Sequence, residues 1–241
     1  MDNFIYQPPQ EPLRIIHEDR DIVVVNKRSG ILSVSSKKHL DSIEYRLQSY
    51  YERKHSNLHI YPVHRLDMDT SGAIVFALRK KAERELKKQF MERRVHKEYH
   101  AVVLGRVQSE QLLIEAPLRH QENNTPLSQV CFERGKPSQT QMEVVNRGFE
   151  PEIGDWTRVR LFPKTGRSHQ LRIHMKYIGH PILGDRFYGG VPLSKKTETK
   201  KTFYPLHLHA QKLQIQHPYS KDNLNLSTPE PFTMFSDKVE K

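Results

Sequence analysis

The segment VHRLDMDTSG, Val63 to Gly72, sets two carboxylates, Asp67 and Asp69, beside His64 and Arg65 in a chain of formal net charge +11. An ionised Asp in such a setting can act as nucleophile, base or ion-pair partner, and a nearby arginine favours the charged form of a carboxylate. The same residues also suit a surface turn in which the aspartates bond backbone amides and Thr70, Ser71 and Gly72 make the bend. In an extended segment Asp67 and Asp69 fall on one side, about 6.5–7 Å apart along the chain, where their like charges repel unless a cation intervenes. Glycosidases use carboxylates about 5–9.5 Å apart, but theirs flank the scissile bond, whereas these two approach from a single side. One working Asp beside a bystander fits the spacing better.

Other constellations are weaker. His169, His174, His180, His207, His209 and His217 hint at a metal, and His207 and His209 share a strand parity. With Cys131 as the one cysteine and no His-Glu-x-x-His pattern, no metal is expected. KTGRSH, Lys164 to His169, resembles a phosphate-binding turn entering a helix, yet lacks the Gly-x-x-x-x-Gly-Lys pattern of a nucleoside triphosphate loop. Tyr99 reads as a core residue or as an aromatic face for a nucleobase. Arg172 lies about 100° around its helix from Leu171, at the edge of the apolar stripe, where it can snorkel outward or pair with a carboxylate.

The elements that must position these residues follow from periodicity. DIVVVNKRSG, Asp21 to Gly30, reads as a buried strand stopped by Gly30, and Asp41 or Ser42 can cap a helix with Ile43, Leu47, Tyr50 and Tyr51 at helical spacing. Gly72 to Leu78 is a second strand, so the two-carboxylate segment sits at a loop-to-strand junction. From Arg79, Ala82, Leu86 and Phe90 form a narrow apolar stripe on a highly charged helix. Between Arg79 and Lys97 there are nine basic residues against three acidic ones, a surface fit either for solvent or for a polyanion.

Glu98 to Gly105 is a further strand, and Leu118 to Gln129 reads as a loop. Trp156 to Phe162 alternates as a half-buried strand. Gln170 onward is a helix with stripe Leu171, Met175 and Ile178, Ser168 as candidate N-cap, and Gly179 with Pro181 as its stop. The Lys- and Thr-rich stretch 189–205 reads as a mobile surface loop. In the final strand Leu206, Leu208 and Ala210 share one parity while Leu213 and Ile215 share the other, which hints at a bulge.

At 241 residues, with apolar residues gathered in short dense runs, one compact body is expected. No apolar run reaches the ~20 residues of a membrane span, and the opening MDNFIYQPPQEP lacks the pattern of an export signal. No membrane partner is expected, and a lone cysteine fits a reducing cytoplasm. The positive charge makes a polyanion, nucleic acid first, the leading partner.

Taken together and in order, HRLDMDTSG, KEYHAVVLG, GKPSQT, TGRSHQLRIHM and GHPILGDRFYG resemble the RluA family of pseudouridine synthases. The resemblance implies a single α+β catalytic domain over 1–241, a mixed, largely antiparallel sheet flanked by helices, with a lead-in over 1–17 and a tail over 229–241. It implies isomerisation of uridine within RNA, with no cofactor and no metal. Asp67 matches the catalytic Asp of the family; the position of Asp69 varies among members, so it inherits no role. Tyr99 looks like the aromatic that packs on the target base, and Arg172 like the arginine that pairs with the catalytic carboxylate. Arg65 resembles the residue that fills the space left by the base, and His64 and Arg167 join it as candidate RNA contacts.

Two departures accompany the resemblance. Only a short lead-in precedes the first strand, so the N-terminal RNA-binding module of many relatives is expected to be absent. Asn124 to Val130 also stands where close relatives carry a basic stretch. The type most resembled acts on both a transfer RNA anticodon stem-loop and large-subunit ribosomal RNA, and a monomer is expected. A non-catalytic RNA-binding or ribosome-assembly protein on the same fold is the rival reading, supported by charge alone.

Overall fold

The computed structural model describes residues 6–54, 58–121, 127–189 and 204–232. The chain divides into two compact units that interleave in sequence: Met1–Lys97 with Ala210–Pro229, and Glu98–His209 with Glu230–Lys241. Each is an α+β assembly.

The first unit holds β1 (Ile15–Glu18), β2 (Ile22–Lys27), α1 (Ile43–Arg53), β3 (Tyr61–Pro62), β4 (Ser71–Ala77) and α2 (Lys80–Met91). β5 (His96–Leu104) then carries the chain into the second unit. There follow β6 (Gln111–Glu115), β7 (Leu118–His120), β8 (Ser128–Val130), β9 (Gln139–Glu150), β10 (Gly154–Pro163) and α3 (Gln170–Tyr177). β11 (Leu208–Gln216) returns the chain to the first unit, where β12 (Asn223–Ser227) pairs with it antiparallel.

In the first unit the strand order is β1-β2-β4-β11, with β3 also beside β4. Ile22, Val24, Ala73, Val75 and Ala77 bury one face against Ala82 and Leu86 of α2 and Leu213 and Ile215 of β11. Val23, Val25, Ile74 and Phe76, of the other parity, are equally buried. Cover on both faces explains why IVVV runs on without polar alternation. The cap of α1 is Ser42, whose Oγ accepts from Tyr45 N at 3.1 Å, while Asp41 instead grips Arg46 through both carboxylate oxygens.

In the second unit the order is β5-β10-β9-β6, antiparallel where β10 meets β5 and β9 and where β6 meets β9. Val159 and Leu161 of β10 join Ala101 and Val103 of β5, Met142 of β9, and Leu171 and Met175 of α3 in one core. Leu206 and Leu208 belong to this core, whereas Leu213 and Ile215 belong to that of the first unit. The change of parity noticed in the sequence thus marks the passage of β11 from one unit's core to the other's.

Two elements differ from expectation. Leu118 to Gln129 is not all loop: its ends are β7 and β8, paired Leu118↔Val130 through His120↔Ser128. Three-residue polar strands carry too little alternation to be read from sequence. Ser168 does not cap α3; the N-cap residue is His169, in the left-handed region at φ 55° and without a side-chain cap bond, while the Gln170 side chain accepts from the Arg167 amide. Residues 190–203 of the expected loop, 122–126 of the stretch before Val130, and 233–241 of the tail lie outside the described residues.

Candidate active site

The loop carrying Asp67 is held one backbone carbonyl at a time. Ser33 Oγ donates to Leu66 O at 2.7 Å and accepts from Leu66 N at 3.1 Å. Thr70 N donates to Asp67 O, Gly30 N and Lys27 Nζ donate to Met68 O, and Ser29 Oγ donates to Asp69 O. Four consecutive carbonyls are therefore fixed, three of them by the Lys27–Ser33 segment, which leaves the Asp67 and Asp69 side chains on a rigid frame. A buried or half-buried carbonyl left without a donor costs about 1–3 kcal/mol, so the frame is strongly specified.

Gly72 closes the loop. Its φ is +111°, and a Cβ there would stand 2.3 Å from Ala210 O. Only glycine lets β4 begin against β11 directly after the motif.

Lys27 is the cation that the paired acids call for. It is fully buried, and Nζ donates to Met68 O at 2.7 Å and Arg28 O at 2.9 Å. Burial pushes the ammonium down to about 7, against the opposing pull of Asp69 and then Asp67. Sequence reasoning missed this residue; the one signal was a lysine closing an otherwise buried strand.

His64 supports the loop from the other side. Its Nε2 accepts from Val75 N at 3.1 Å, and its ring stacks on Phe90 of α2 with centroids 4.6 Å apart. Burial, aided by the Lys97 charge, lowers its pKa to about 3, so the ring is neutral at physiological pH and offers no cation to a phosphate. Arg65, between this anchored ring and the buried Leu66, is exposed.

The other candidates lie in the second unit. Tyr99, paired with Leu161 across β5 and β10, is half-buried against the core that also takes Leu171 and Met175 of α3. Of the two courses open to Arg172, snorkelling outward or pairing with a carboxylate, it takes the second: it is 3% exposed and forks onto Asp185, Nε to Oδ2 and Nη2 to Oδ1, both at 2.8 Å. Asp185 Oδ1 also accepts from Phe187 N and Tyr188 N, and the Phe187 and Tyr188 rings lie 5.3 and 5.1 Å from the guanidinium. Charge-assisted bidentate pairing of this kind fixes the plane of the arginine.

The TGRSHQLRIHM and GKPSQT segments are knitted into one scaffold beneath Arg172. Gln170 Oε1 accepts from Thr165 Oγ1 and Arg167 N, and its Nε2 donates to Gln139 O and Thr140 Oγ1. Thr140 Oγ1 then donates to His174 Nδ1, because His174 Nε2 must be the donor to Ala116 O. Burial lowers the His174 pKa, which keeps this relay neutral. The Arg167 side chain is half-buried and reaches Pro137 O at 3.4–3.5 Å.

A group with metal-like spacing exists among the described residues: ligand atoms of Asp19, Asp21 and His217 lie within 4.8 Å of one another. The donor set does not fit an ion. His217 Nδ1 accepts from Tyr219 N and Ser220 N, so its proton sits on Nε2, which faces Asp19 Oδ2 at 3.2 Å as a donor. Asp19 is further engaged by His17 and by the amides of Asp21 and Ile22.

A family model described as RNA pseudouridylate synthase matches residues 21–177. The chain belongs to that family. The matched span contains Lys27, Asp67, Tyr99 and Arg172, and takes in parts of both units. Among curated pseudouridine synthases, the chain is 46% identical to the dual-specificity RNA pseudouridine synthase RluA of Escherichia coli K12, over 94% of this chain and 98% of the relative. It is 44% identical to the protein of the same name from Pasteurella multocida, with the same coverage. Among solved structures, human RNA pseudouridylate synthase domain containing 1 superposes with a TM-score of 0.75 at 29% identity, covering 94% of this chain and 87% of that one. The α+β, largely antiparallel fold is thus the pseudouridine synthase fold.

Two residues now join those that the sequence suggested. Asp185 lay within a quoted motif, GHPILGDRFYG, but had no role until its fork with Arg172 was seen. Lys27 lay outside the quoted motifs altogether.

Proposed function

We propose that this chain isomerises uridine to pseudouridine in RNA, with Asp67 as the reactive carboxylate. The observation that carries the reading is the Asp67 loop itself: the family's Asp stands on a frame whose four carbonyls from Leu66 to Asp69 are each hydrogen-bonded. In the reaction the bond from N1 of uracil to C1′ of ribose breaks, the base turns, and C5 bonds to C1′. N1 takes up a proton and C5 gives one up, so the product is an isomer and no co-reactant is consumed. Asp67 fits attack at C1′, addition to C6 of the base, or removal of a ribose proton. Each needs an ionised carboxylate held still.

Tyr99 and Arg172 serve the same reaction in this reading. Tyr99 offers a half-buried ring to the target base, and Arg172, oriented by Asp185, supplies fixed positive charge. Arg65, exposed beside the reactive Asp, fills the gap left by the extruded base. Extrusion costs a few kcal/mol and is easiest in a loop. Arg167 contributes a phosphate contact. Asp69 stays a bystander, balanced with Asp67 by Lys27.

The names of the relatives point to dual specificity, and we propose transfer RNA and large-subunit ribosomal RNA as substrates, met in the cytoplasm by a monomer. The net charge of +11 supports binding through phosphates, which should weaken steeply with salt. The test is to treat unmodified transcripts of both RNAs with the protein and map pseudouridine by carbodiimide derivatisation. Product in either RNA supports the reading; tight binding without product in both would favour a non-catalytic RNA-binding protein instead.

A further inference from the structure

Phe187 is an apolar ring at the surface of an otherwise closed cluster. It is 49% exposed, whereas its neighbour Tyr188 is 5% exposed and already covers Arg172 from 5.1 Å. Covering the arginine therefore does not require Phe187 to face solvent.

The ring is nevertheless held firmly. Asp185 Oδ1 accepts from Phe187 N at 3.0 Å, and the Arg172 guanidinium lies 5.3 Å from the ring centroid. The His169 ring lies nearly parallel to it, 10° between planes and 6.3 Å between centroids. His169 is fixed in turn, by its left-handed backbone and by a hydrogen bond of 2.8 Å between Nδ1 and the hydroxyl of Tyr188, which also accepts from Ser128 N. Nearby in the chain, Arg186 and Lys176 are exposed, and Lys176 Nζ reaches within 5.8 Å of the Tyr188 ring centroid.

A rigid, half-exposed aromatic face with cations beside it is the arrangement by which proteins hold unpaired nucleotides: the ring stacks on a base and the cations take the phosphates. We propose that Phe187 is a base-stacking residue, receiving an unpaired nucleobase of the substrate RNA other than the uridine that reacts. The proposal rests on the reading of the chain as an RNA-modifying enzyme and adds a second base-recognition point to it. Stacking tolerates any base, so this contact contributes affinity and orientation of the loop, while pairing geometry elsewhere selects the site.

The test uses a hairpin RNA carrying the isomerised uridine, with 2-aminopurine placed singly at each other loop position. Binding of the full chain should change the fluorescence at one position, equally for wild type and Phe187→Tyr, and not for Phe187→Leu. In single-turnover assays Phe187→Leu should raise the half-saturating RNA concentration by about 5- to 100-fold, with a smaller change in the saturating rate. An unchanged thermal midpoint for Phe187→Leu excludes a folding defect, and a lowered midpoint is answered by Phe187→Met. Equal fluorescence and equal half-saturation for wild type and both apolar variants would overturn the proposal, and would leave a protein partner as the occupant of the ring. A loss confined to the saturating rate would overturn it as well. Wild-type protein that forms no pseudouridine but shows the fluorescence change refutes the enzymatic reading alone; product without any change refutes the stacking alone.

Discussion

Lys27 Nζ donates to Met68 O at 2.7 Å, and Met68 is the residue between the two carboxylates of the motif. A buried lysine thus holds the backbone between Asp67 and Asp69, and when protonated its charge couples to both carboxylates. This relationship answers how a loop can keep two like charges together: the repulsion is offset from beneath by a cation that solvent does not reach.

Lys27→Met should lower the rate at saturating RNA at least ~10-fold, equivalent to about 1.4 kcal/mol, with little change in RNA affinity. Stability is the contrasting readout. Because burial holds the ammonium near 7, well below the ~10.4 of an unfolded lysine, the unfolded chain binds more protons between those values. Stability from this group therefore rises with pH from about 7 towards 10, and urea denaturation at pH 7 and pH 9 should show the rise in wild type and its loss in Lys27→Met. Equal pH slopes in the two proteins would contradict the burial of the charge.

The Arg172 fork on Asp185 should behave as a buried ion pair. Asp185→Leu removes the carboxylate that forks onto the buried guanidinium and should cost about 3–5 kcal/mol in urea denaturation. Adding Arg172→Met to Asp185→Leu should recover most of that stability while activity stays lost, since the fixed positive charge is gone. Recovery of activity in the double variant would refute a role for Arg172 in the reaction.

Gly72→Ala should destabilise the protein by more than ~2 kcal/mol, because the new Cβ meets the backbone of Ala210 and the left-handed conformation is strained. Denaturation monitored by circular dichroism measures it. A neutral substitution would mean that β4 can slide relative to β11, and that the loop is less rigid than its hydrogen bonds indicate.

The elements that were legible in the sequence are those fixed by local pattern. The Ser42 cap, the Ala82 and Leu86 stripe of α2, and the buried parity of Thr157, Val159 and Leu161 follow from periods of 3.6 and 2. Motif order alone carries the assignment of Asp67, Tyr99 and Arg172 to the reaction, and the variants proposed for Asp67 and Arg172 are its test. What was hidden depends on contacts across the chain: Lys27 meets Met68 41 residues later, and Arg172 meets Asp185 13 residues later. Periodicity placed Arg172 at the stripe edge and left open whether it snorkels outward or meets a carboxylate; that Asp185 is one such carboxylate depends on the fold. His64, a candidate RNA contact in the sequence, bonds Val75 N and stacks on Phe90, contacts that make it a support for the loop.

The most direct test of the account compares Asp67→Asn with Asp69→Asn in single-turnover pseudouridine formation on the same RNA. Asp67→Asn should abolish product while RNA affinity stays within about threefold, less than 1 kcal/mol. Asp69→Asn should keep most of the wild-type rate. Equal losses in the two variants, or product formation by Asp67→Asn, would contradict the assignment of Asp67 as the reactive carboxylate.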